Sequence, residues 1–226
     1  MNSLELFKTQ KFYQIDISIL KDLGYDVLLS NRIFDSLLFW KYDILFSYFY
    51  RYSFFAALLA KCFGKKTYFT GGIDSLDSDY ASAFNYKIQA LFFKLCYWVA
   101  DSCIIVSQSD LKNIFKVSSL KKKLSYSEHV INTKLFIADV PKEKIFTSIV
   151  WMGDEGNVVR KGVDKALQIF AELKKIPEFV DYRFVIIGRK GEGEVLVRSI
   201  IDKYNLKGSV ELKGEVSEED KINLLK

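Results

Sequence analysis

The hydrophobic positions along the chain alternate between short apolar runs and longer segments with helical spacing. Apolar residues recur at intervals of three and four over residues 11–23, and Gly24 follows as a C-terminal cap, so the pattern predicts a helix there. Further along, the pattern predicts strands over residues 25–30, 43–49, 65–72 and 103–107. It predicts helices over residues 51–64 and 79–100, the second of which is long. Strands this apolar on both faces are typical of parallel sheets covered by helices.

The same alternation restarts after Pro141. It predicts strands over residues 146–153, 182–188 and 209–214, and helices over residues 163–173, 194–206 and from 219 onward. A proline and mixed charges interrupt the apolar pattern at residues 137–145. We therefore expect an α/β fold with two domains, residues 1–140 and 141–226, and with parallel sheets in residues 25–135 and 146–214.

Both ends of the chain differ from a complete doubly wound domain. The chain begins with a predicted helix where such a domain begins with a buried strand, and it ends within the first two turns of another helix. We therefore expect a fragment whose first domain lacks its first strand and whose second domain is incomplete. Such a second domain is expected to leave an apolar flank uncovered, at Ile222 and Leu225.

The composition excludes several classes of protein. Half of the residues are hydrophobic and 27% are charged, which is typical of a globular chain and not of a disordered one. The longest stretches without a charge are nine residues, too short for a membrane span, and the N-terminus does not resemble a signal peptide, so a cytoplasmic location is expected. Three cysteines at irregular spacing and the single His129 exclude a CxxC redox or zinc pair and a two-histidine zinc site.

The formal net charge of +5 comes from the first 150 residues, because residues 151–226 contain equal numbers of basic and acidic side chains. This mild excess fits an anionic substrate or an anionic membrane surface, and it fits an ordinary solvated surface equally well. Residues 111–123 interleave apolar residues with five lysines. That segment is either a basic amphipathic surface for peripheral contact with anionic lipid or an ordinary helix with one solvated face.

Glycines and basic residues are the candidate phosphate ligands of this chain. No P-loop is present, and Gly188, Gly191 and Gly193 have the wrong spacing for a dinucleotide fingerprint. Residues 151–164 are predicted to run from a strand through a glycine loop into a helix, with Arg160 and Lys161 at the helix N-terminus. Backbone amides, the helix dipole and these two cations together favour a diphosphate site, whereas the alternative is a pair of solvated side chains.

Three segments, RKGVDKALQIFAELKK, YRFVIIGRKGEGE and LKGSVELKGEVSEEDKINLL, resemble in order and spacing the C-terminal domain of the retaining glycosyltransferases of family four, the group one enzymes with the GT-B fold. In the first half, KTYFTGG, IIVSQSDLKN and EHVINTKLF are similar to the family more loosely. The resemblance implies two Rossmann-like domains facing each other across a cleft. It also implies a nucleotide-sugar donor bound mainly by the second domain, with no metal.

Within this resemblance, Lys161 matches the lysine that contacts the donor diphosphate, and Gly153 matches the glycine that ends the first strand. The family usually places an arginine directly after that glycine, where this chain has Asp154. Either Arg160 supplies the missing charge from further along the loop, or the donor contact is altered. In both cases the positive charges are implied to stabilise the departing diphosphate, so Lys161 and Arg160 are the catalytic candidates.

Other implied site residues lie in three places. Val216, Glu218 and Lys221 match the stretch that cradles the nucleobase, and independently of this Ser217 is expected to cap the helix that follows. Gly71 and Gly72 stand in the acceptor-side loop, where many members carry a histidine, so that only backbone amides can contact a substrate there. His129 is expected to be structural.

The resemblance implies transfer of a sugar, with retention, from a nucleotide-diphosphate sugar to a saccharide or lipid-linked acceptor, as in polysaccharide biosynthesis, with no nucleic-acid partner. Two alternatives stay open. A noncatalytic subunit that binds a glycan or a protein partner is favoured by the missing histidine and by Asp154. A sugar-nucleotide epimerase of the same fold would share the donor loop. The family's pair of donor-binding glutamates would lie beyond Lys226, so the chain alone is expected to be inactive.

Overall fold

A computed structural model of the chain describes residues 3–73, 76–77, 81–131, 133–136 and 141–225. The chain forms two compact units, Met1–Ile131 and Asn132–Lys226, called unit 1 and unit 2 below. The expected domain boundary between residues 140 and 141 stays a prediction, because residues 137–140 lie outside the described part of the chain.

Unit 1 contains a four-stranded parallel sheet in the order β1-β2-β3-β4. Its elements are α1 (Ser3–Thr9), α2 (Lys11–Asp22), β1 (Ile44–Tyr48), α3 (Phe54–Cys62), β2 (Lys66–Thr70), α4 (Ala83–Val99), β3 (Ser102–Ile105), α5 (Gln108–Val117) and β4 (Leu124–Tyr126). The core between sheet and helices is built on the fully buried side chains of Phe69, Phe93, Ile105 and Ile114. Parallel strands joined through helices bring the carboxyl ends of all four strands to one edge of the sheet.

Unit 2 contains a three-stranded parallel sheet in the order β5-β6-β7. Its elements are β5 (Ile145–Ile149), α6 (Glu155–Arg160), α7 (Val163–Leu173), β6 (Arg183–Ile187), α8 (Gly193–Lys203), β7 (Val210–Gly214) and α9 (Glu218–Leu225). In α7, Val163, Leu167 and Phe170 form one buried stripe because they are spaced by four and three residues. Both predicted parallel sheets are confirmed.

The predicted strand over residues 25–30 is wrong. Gly24 ends α2 in a left-handed conformation (φ 87°), and the amide of Tyr25 donates to Leu20 O at 3.0 Å. The chain then continues without regular structure, and the side chain of Leu28 is 68% exposed. An apolar run becomes a strand only where a neighbouring strand pairs with it, and these residues are not part of either sheet.

Two further elements differ from the prediction. The long helix begins at Ala83 and not at residue 79, because Ser82 is its N-cap and accepts a hydrogen bond from the Asn85 amide. The glycine loop expected between the strand ending at residue 153 and the helix beginning at residue 163 contains the short helix α6. Within the described residues, no helix has the length and apolar character needed to cross a membrane.

Candidate functional site

The candidate donor site lies at the carboxyl edge of the unit 2 sheet, where two loops run side by side. The amide of Val150, directly after β5, donates to the carbonyl of Ile187, the last residue of β6, at 2.9 Å, and the amide of Met152 donates to Arg189 O at 2.9 Å. The amide of Gly193 returns to Met152 O at 3.1 Å. The two loops are therefore joined backbone to backbone, and side chains on either loop are held at the same edge.

Glycines make this close approach possible. Gly188 has φ 138°, and a Cβ at this position would lie 1.9 Å from Val150 O. A Cβ on Gly191 would lie 2.4 Å from Met152 O, and one on Gly193 would lie 2.4 Å from Asp154 O. The glycine cluster that fits no phosphate fingerprint thus has a structural cause, because each glycine leaves room for the backbone of the neighbouring loop.

Asp154, which stands where the family's arginine is expected, is the N-cap of α6. Its Oδ1 accepts a hydrogen bond from the Asn157 amide at 2.7 Å, and Glu155 places a second acidic group in the first turn of the helix. This departure from the family pattern therefore has a local structural role. A donor phosphate cannot be held by this carboxylate, since both groups are negatively charged.

Arg160 and Lys161 lie between two helices, at the end of α6 and directly before Gly162, the N-cap of α7. Arg160 is the last residue of α6 and its guanidinium donates to Asn157 Oδ1 at 3.3 Å, while Lys161 is the C-cap. Both side chains are exposed. The sequence prediction missed α6 because its six residues are too few for helical spacing to be evident.

Lys161 nevertheless lies close to a free helix start. Gly162, in a left-handed conformation (φ 70°), is the N-cap of α7 and provides no side-chain cap. Because α7 links the carboxyl end of β5 to the amino end of β6, its N-terminus lies at the carboxyl edge. The first turn of α7 also carries Asp164, whose buried Oδ1 has no hydrogen-bond partner among the described residues. An anion at this helix start would therefore depend on the exposed Lys161 and the first amides of α7 to outweigh the negative charge of Asp164.

The residues expected to cradle a nucleobase begin α9, also at the carboxyl edge. Ser217 Oγ accepts a hydrogen bond from the Asp220 amide at 3.0 Å, which gives it the expected capping role. Lys221 forms an ion pair with Glu218, and Val216 is half-buried. Glu218 and Lys221 therefore neutralise each other, and Val216 is the member of this group that offers an apolar contact.

Two basic residues at the same edge were not among the predicted ligands. Arg189 and Lys190 follow β6 and are exposed. The side chain of Lys190 lies across the end of β7, since a Cβ on Gly214 would be 3.3 Å from Lys190 Cε. The sequence signal for this pair is two adjacent cations directly after a buried strand.

The predicted acceptor-side glycines of unit 1 form a tight corner at the carboxyl edge of its sheet. Phe49, directly after β1, has φ 66°, and Gly71, directly after β2, has φ 106°. The amide of Phe49 donates to Thr70 O at 2.9 Å, and a Cβ on Gly71 would lie 3.3 Å from the Phe49 ring. A left-handed conformation is costly for an aromatic residue, so this corner stores backbone strain.

A cavity of about 210 Å³ lies beside this corner and is lined by residues 49–52, Gly72, Ile73 and Gln89. The buried Tyr50 anchors it, since its carbonyl accepts a hydrogen bond from Cys96 Sγ at 2.6 Å and its hydroxyl donates to Ile104 O at 3.3 Å. Burial raises the pKa of the Cys96 thiol, which therefore stays protonated and able to donate. The chain around the cavity is thus held by hydrogen bonds to the core.

The basic segment at residues 111–123 is in part structural. The ammonium of Lys123 donates to the carbonyls of Tyr97, Trp98 and Ala100 at 3.2, 3.0 and 2.6 Å, so it caps the C-terminus of α4. Lys116 donates to Asn113 Oδ1 at 2.9 Å. These contacts favour the interpretation as an ordinary helix and loop. His129 is exposed, and its ring centroid lies 5.6 Å from that of Phe12.

Similarity to known proteins agrees with this fold. Residues 156–226 match the sequence family described as "Glycosyl transferases group 1". No curated protein matches the chain in sequence.

Solved structures resemble the chain at low sequence identity. They include Anabaena HepE in complex with UDP and glucose (TM-score 0.60, 11% identity, covering 81% of this chain and 50% of that chain). The same protein in complex with UDP-glucose gives a TM-score of 0.58 at 12% identity, and the match covers 89% of this chain and 58% of that chain. A variant of S. aureus TarM, in complex with fondaparinux, α-GlcNAc-glycerol and UDP, gives a TM-score of 0.52 at 17% identity. This match covers 73% of this chain and 31% of that chain.

These matches to solved structures show the fold, which is that of GT-B glycosyltransferases, and the chain spans between 31% and 58% of the length of the three chains compared. The match to the sequence family covers most of α6 and the elements from α7 to α9, and so includes the part of the carboxyl edge that follows β6 and β7. The match to the group 1 glycosyltransferase family is thus shown for residues 156–226, and the two-sheet fold is that of GT-B glycosyltransferases over part of their length.

Proposed function

We propose that the protein acts in the transfer of a sugar, with retention, from a nucleotide-diphosphate sugar to a saccharide or lipid-linked acceptor. In this proposal unit 2 binds the donor, and its diphosphate lies against Lys161 and the first turn of α7. The observation that carries the proposal is the exposed Lys161 beside an uncapped helix start, at the carboxyl edge of a parallel sheet, within the segment that matches the family. Ligands of open α/β sheets bind outside this edge.

The helix start is suited to an oxyanion. The N-terminal amides of an α-helix have no partners within the helix, and the helix dipole adds a partial positive charge there. At α7 the N-cap is Gly162, and among the described residues no side-chain cap hydrogen bond occupies these amides. A phosphate oxygen can therefore accept hydrogen bonds from the backbone while the Lys161 ammonium neutralises its charge.

The same contacts support the chemistry. When the sugar leaves the donor, negative charge grows on the terminal phosphate oxygens, and fixed donors aimed at those oxygens lower the barrier. Lys161 takes this role as the catalytic residue that contacts the leaving group. Arg160 is a weaker candidate, since its guanidinium is already hydrogen-bonded to Asn157. Val216 offers an apolar surface for the nucleobase.

The test is titration of the 226-residue protein with UDP by isothermal calorimetry. Lys161→Ala is expected to weaken UDP binding about tenfold, which corresponds to about 1.4 kcal/mol, as suits one exposed charge-assisted contact. Lys207→Ala is the matched control, because Lys207 is paired with Asp202 before β7, at the opposite edge of the same sheet. It is expected to leave the affinity unchanged.

Arg160→Ala distinguishes the two interpretations of the missing arginine. A weakening of UDP binding similar to that of Lys161→Ala means that Arg160 supplies the charge in place of Asp154. A change below about twofold means that Arg160 serves α6 alone. Equal affinities of the wild type and Lys161→Ala, or no UDP binding by the wild type, would overturn the donor site and favour the noncatalytic subunit.

A further inference from the structure

The cavity of unit 1 contains a polar group without a partner. Gln89, on α4, is 9% exposed and lines the cavity. Within the described residues, no hydrogen bond joins its side chain to another group. Its amide is open to the cavity, since Asp164 Oδ1 is the fully buried side-chain atom without a partner among the described residues. Gln89 therefore marks a position where a ligand or its solvent completes the hydrogen bonding.

The position of Gln89 on α4 directs it to the cavity. Gln89, Phe93 and Cys96 are spaced by four and three residues, so they share the face of the helix that packs on the sheet. Phe93 and Cys96 are fully buried in the core, and Gln89 is the polar member at the end of this stripe nearer the carboxyl edge. An apolar residue would fill this position if packing were its only role.

A cation lines the same cavity. Arg51 is half-buried, and its guanidinium carbon lies 5.8 Å from the centroid of the Tyr52 ring. In the part of the chain that the structure describes, Arg51 forms no ion pair with a carboxylate. A guanidinium offers a planar fork of donors that matches a phosphate or carboxylate. Among the described residues, the cavity thus combines a cation that has no carboxylate partner with an amide that has no hydrogen-bond partner.

Aromatic surfaces form the rim. Phe49 is 42% exposed and Tyr52 is 76% exposed, and both line the cavity. Phe49 holds this place in a strained backbone conformation, and such strain concentrates at functional sites. The volume of about 210 Å³ equals that of roughly seven water molecules, which is enough for a small group and too little for a whole nucleotide.

From this arrangement we propose that the unit 1 cavity binds an acidic sugar, with Arg51 pairing with its phosphate or carboxylate, Gln89 donating to the same group, and Phe49 and Tyr52 packing against the ring. The interpretation of this cavity as the acceptor site rests on the transferase function proposed above. It adds that the acceptor presents an anionic monosaccharide unit to unit 1. Phosphate and carboxylate share the chemistry that the cavity recognises, and separate probes distinguish them.

The experiment titrates the ¹⁵N-labelled 226-residue protein with three probes, glucose 1-phosphate, glucuronate and neutral glucose, followed by NMR. At least one acidic sugar is expected to bind and to shift the side-chain amide signals of Gln89, whereas glucose is expected to bind at least tenfold more weakly. The acidic sugar that binds more tightly identifies the group. Equal binding of glucose, or binding without a shift at Gln89, would overturn the proposal.

Variants test the two polar contacts. Arg51→Gln is expected to raise the dissociation constant of the acidic sugar at least tenfold, and Gln89→Met, which keeps the side-chain volume, is expected to raise it about threefold. Arg32→Gln, which removes an exposed arginine elsewhere in unit 1, is the matched control and is expected to change nothing. An unchanged dissociation constant in Arg51→Gln would contradict the proposal.

The failure of this proposal can be distinguished from failure of the donor site. UDP titrates the wild-type protein in the same buffer, and its shifts at the α7 amides report on the donor site of unit 2. If UDP binds and neither acidic sugar does, the cavity proposal fails and the donor site stands. If the acidic sugar binds as expected and UDP does not, the cavity stands as a binding site while its role as an acceptor site fails with the transferase function.

Discussion

The carboxyl edges of the two sheets are built in different ways. In unit 2, backbone hydrogen bonds join two loops through glycines, and the charged groups Lys161, Arg189 and Lys190 are exposed around them. In unit 1, a strained Phe49 packs on Gly71 beside a small cavity that holds the buried Gln89. The first arrangement is open and suits a flexible diphosphate held by charge. The second is partly enclosed and suits a group selected by shape and paired polar contacts.

The comparison predicts that unit 2 is the less tolerant of added backbone bulk. Gly188→Ala places a Cβ 1.9 Å from a carbonyl oxygen and requires φ 138° of an alanine, so the joined loops must separate. We expect a loss of at least about 3 kcal/mol in the free energy of unfolding of unit 2, measured by urea denaturation. Gly208→Ala is the control, because Gly208 also has positive φ but nothing lies within 4 Å of its Cβ. A loss equal to that of the control would show that the loops are not joined as described.

The corresponding change in unit 1 is expected to cost less. In Gly71→Ala the new Cβ meets an aromatic ring at 3.3 Å, and a ring can shift where a backbone carbonyl cannot. The left-handed backbone still disfavours alanine, so we expect a loss of about 1–2 kcal/mol in urea denaturation. Phe49→Gly should remove the contact part of this cost in a double-mutant cycle. Additive effects of the two substitutions would mean that Phe49 and Gly71 do not form one corner.

The smallest of these effects concerns Asp154. If this residue serves α6 as its N-cap, Asp154→Ala loses about 1 kcal/mol of stability, and Asp154→Asn, which can also cap, loses a few tenths. Neither substitution should weaken UDP binding, since the carboxylate does not contact the phosphates. Thermal unfolding with and without UDP measures both quantities. A clear loss of UDP affinity in Asp154→Asn would mean that the edge of unit 2 uses Asp154 in binding.

Much of the fold could be predicted from the sequence, for identifiable reasons. The stripe Val163, Leu167 and Phe170 is long enough to show helical spacing, and the apolar runs of β5 and β6 are bounded by turns. Residues 25–30 have the same apolar character but no neighbouring strand, and a local pattern contains no information about a partner. The prediction failed there for that reason.

The candidate sites were less predictable. The capping role of Asp154 is predictable from its residue type and from Glu155, which follows it in the first turn of α6. The family resemblance instead indicated a missing arginine at this position. The corner in unit 1 depends on the positive φ of Phe49, and an aromatic residue in the sequence does not indicate a positive φ. Gln89 does have a sequence signal, because it is a polar residue on the same helix face as Phe93 and Cys96. Only the structure shows that this residue lines a cavity.

The central claim, that a nucleoside diphosphate binds at the carboxyl edge of unit 2, is tested most directly by locating bound UDP. In ¹⁵N NMR titration, the account predicts the largest shifts at the amides of Lys161, Gly162 and Val163, with smaller ones at Lys190 and Val216. The amide of Gly208, which precedes β7 at the opposite edge, should not move. Saturable shifts centred on Gly208, or on the cavity of unit 1 with the α7 amides unchanged, would contradict the account.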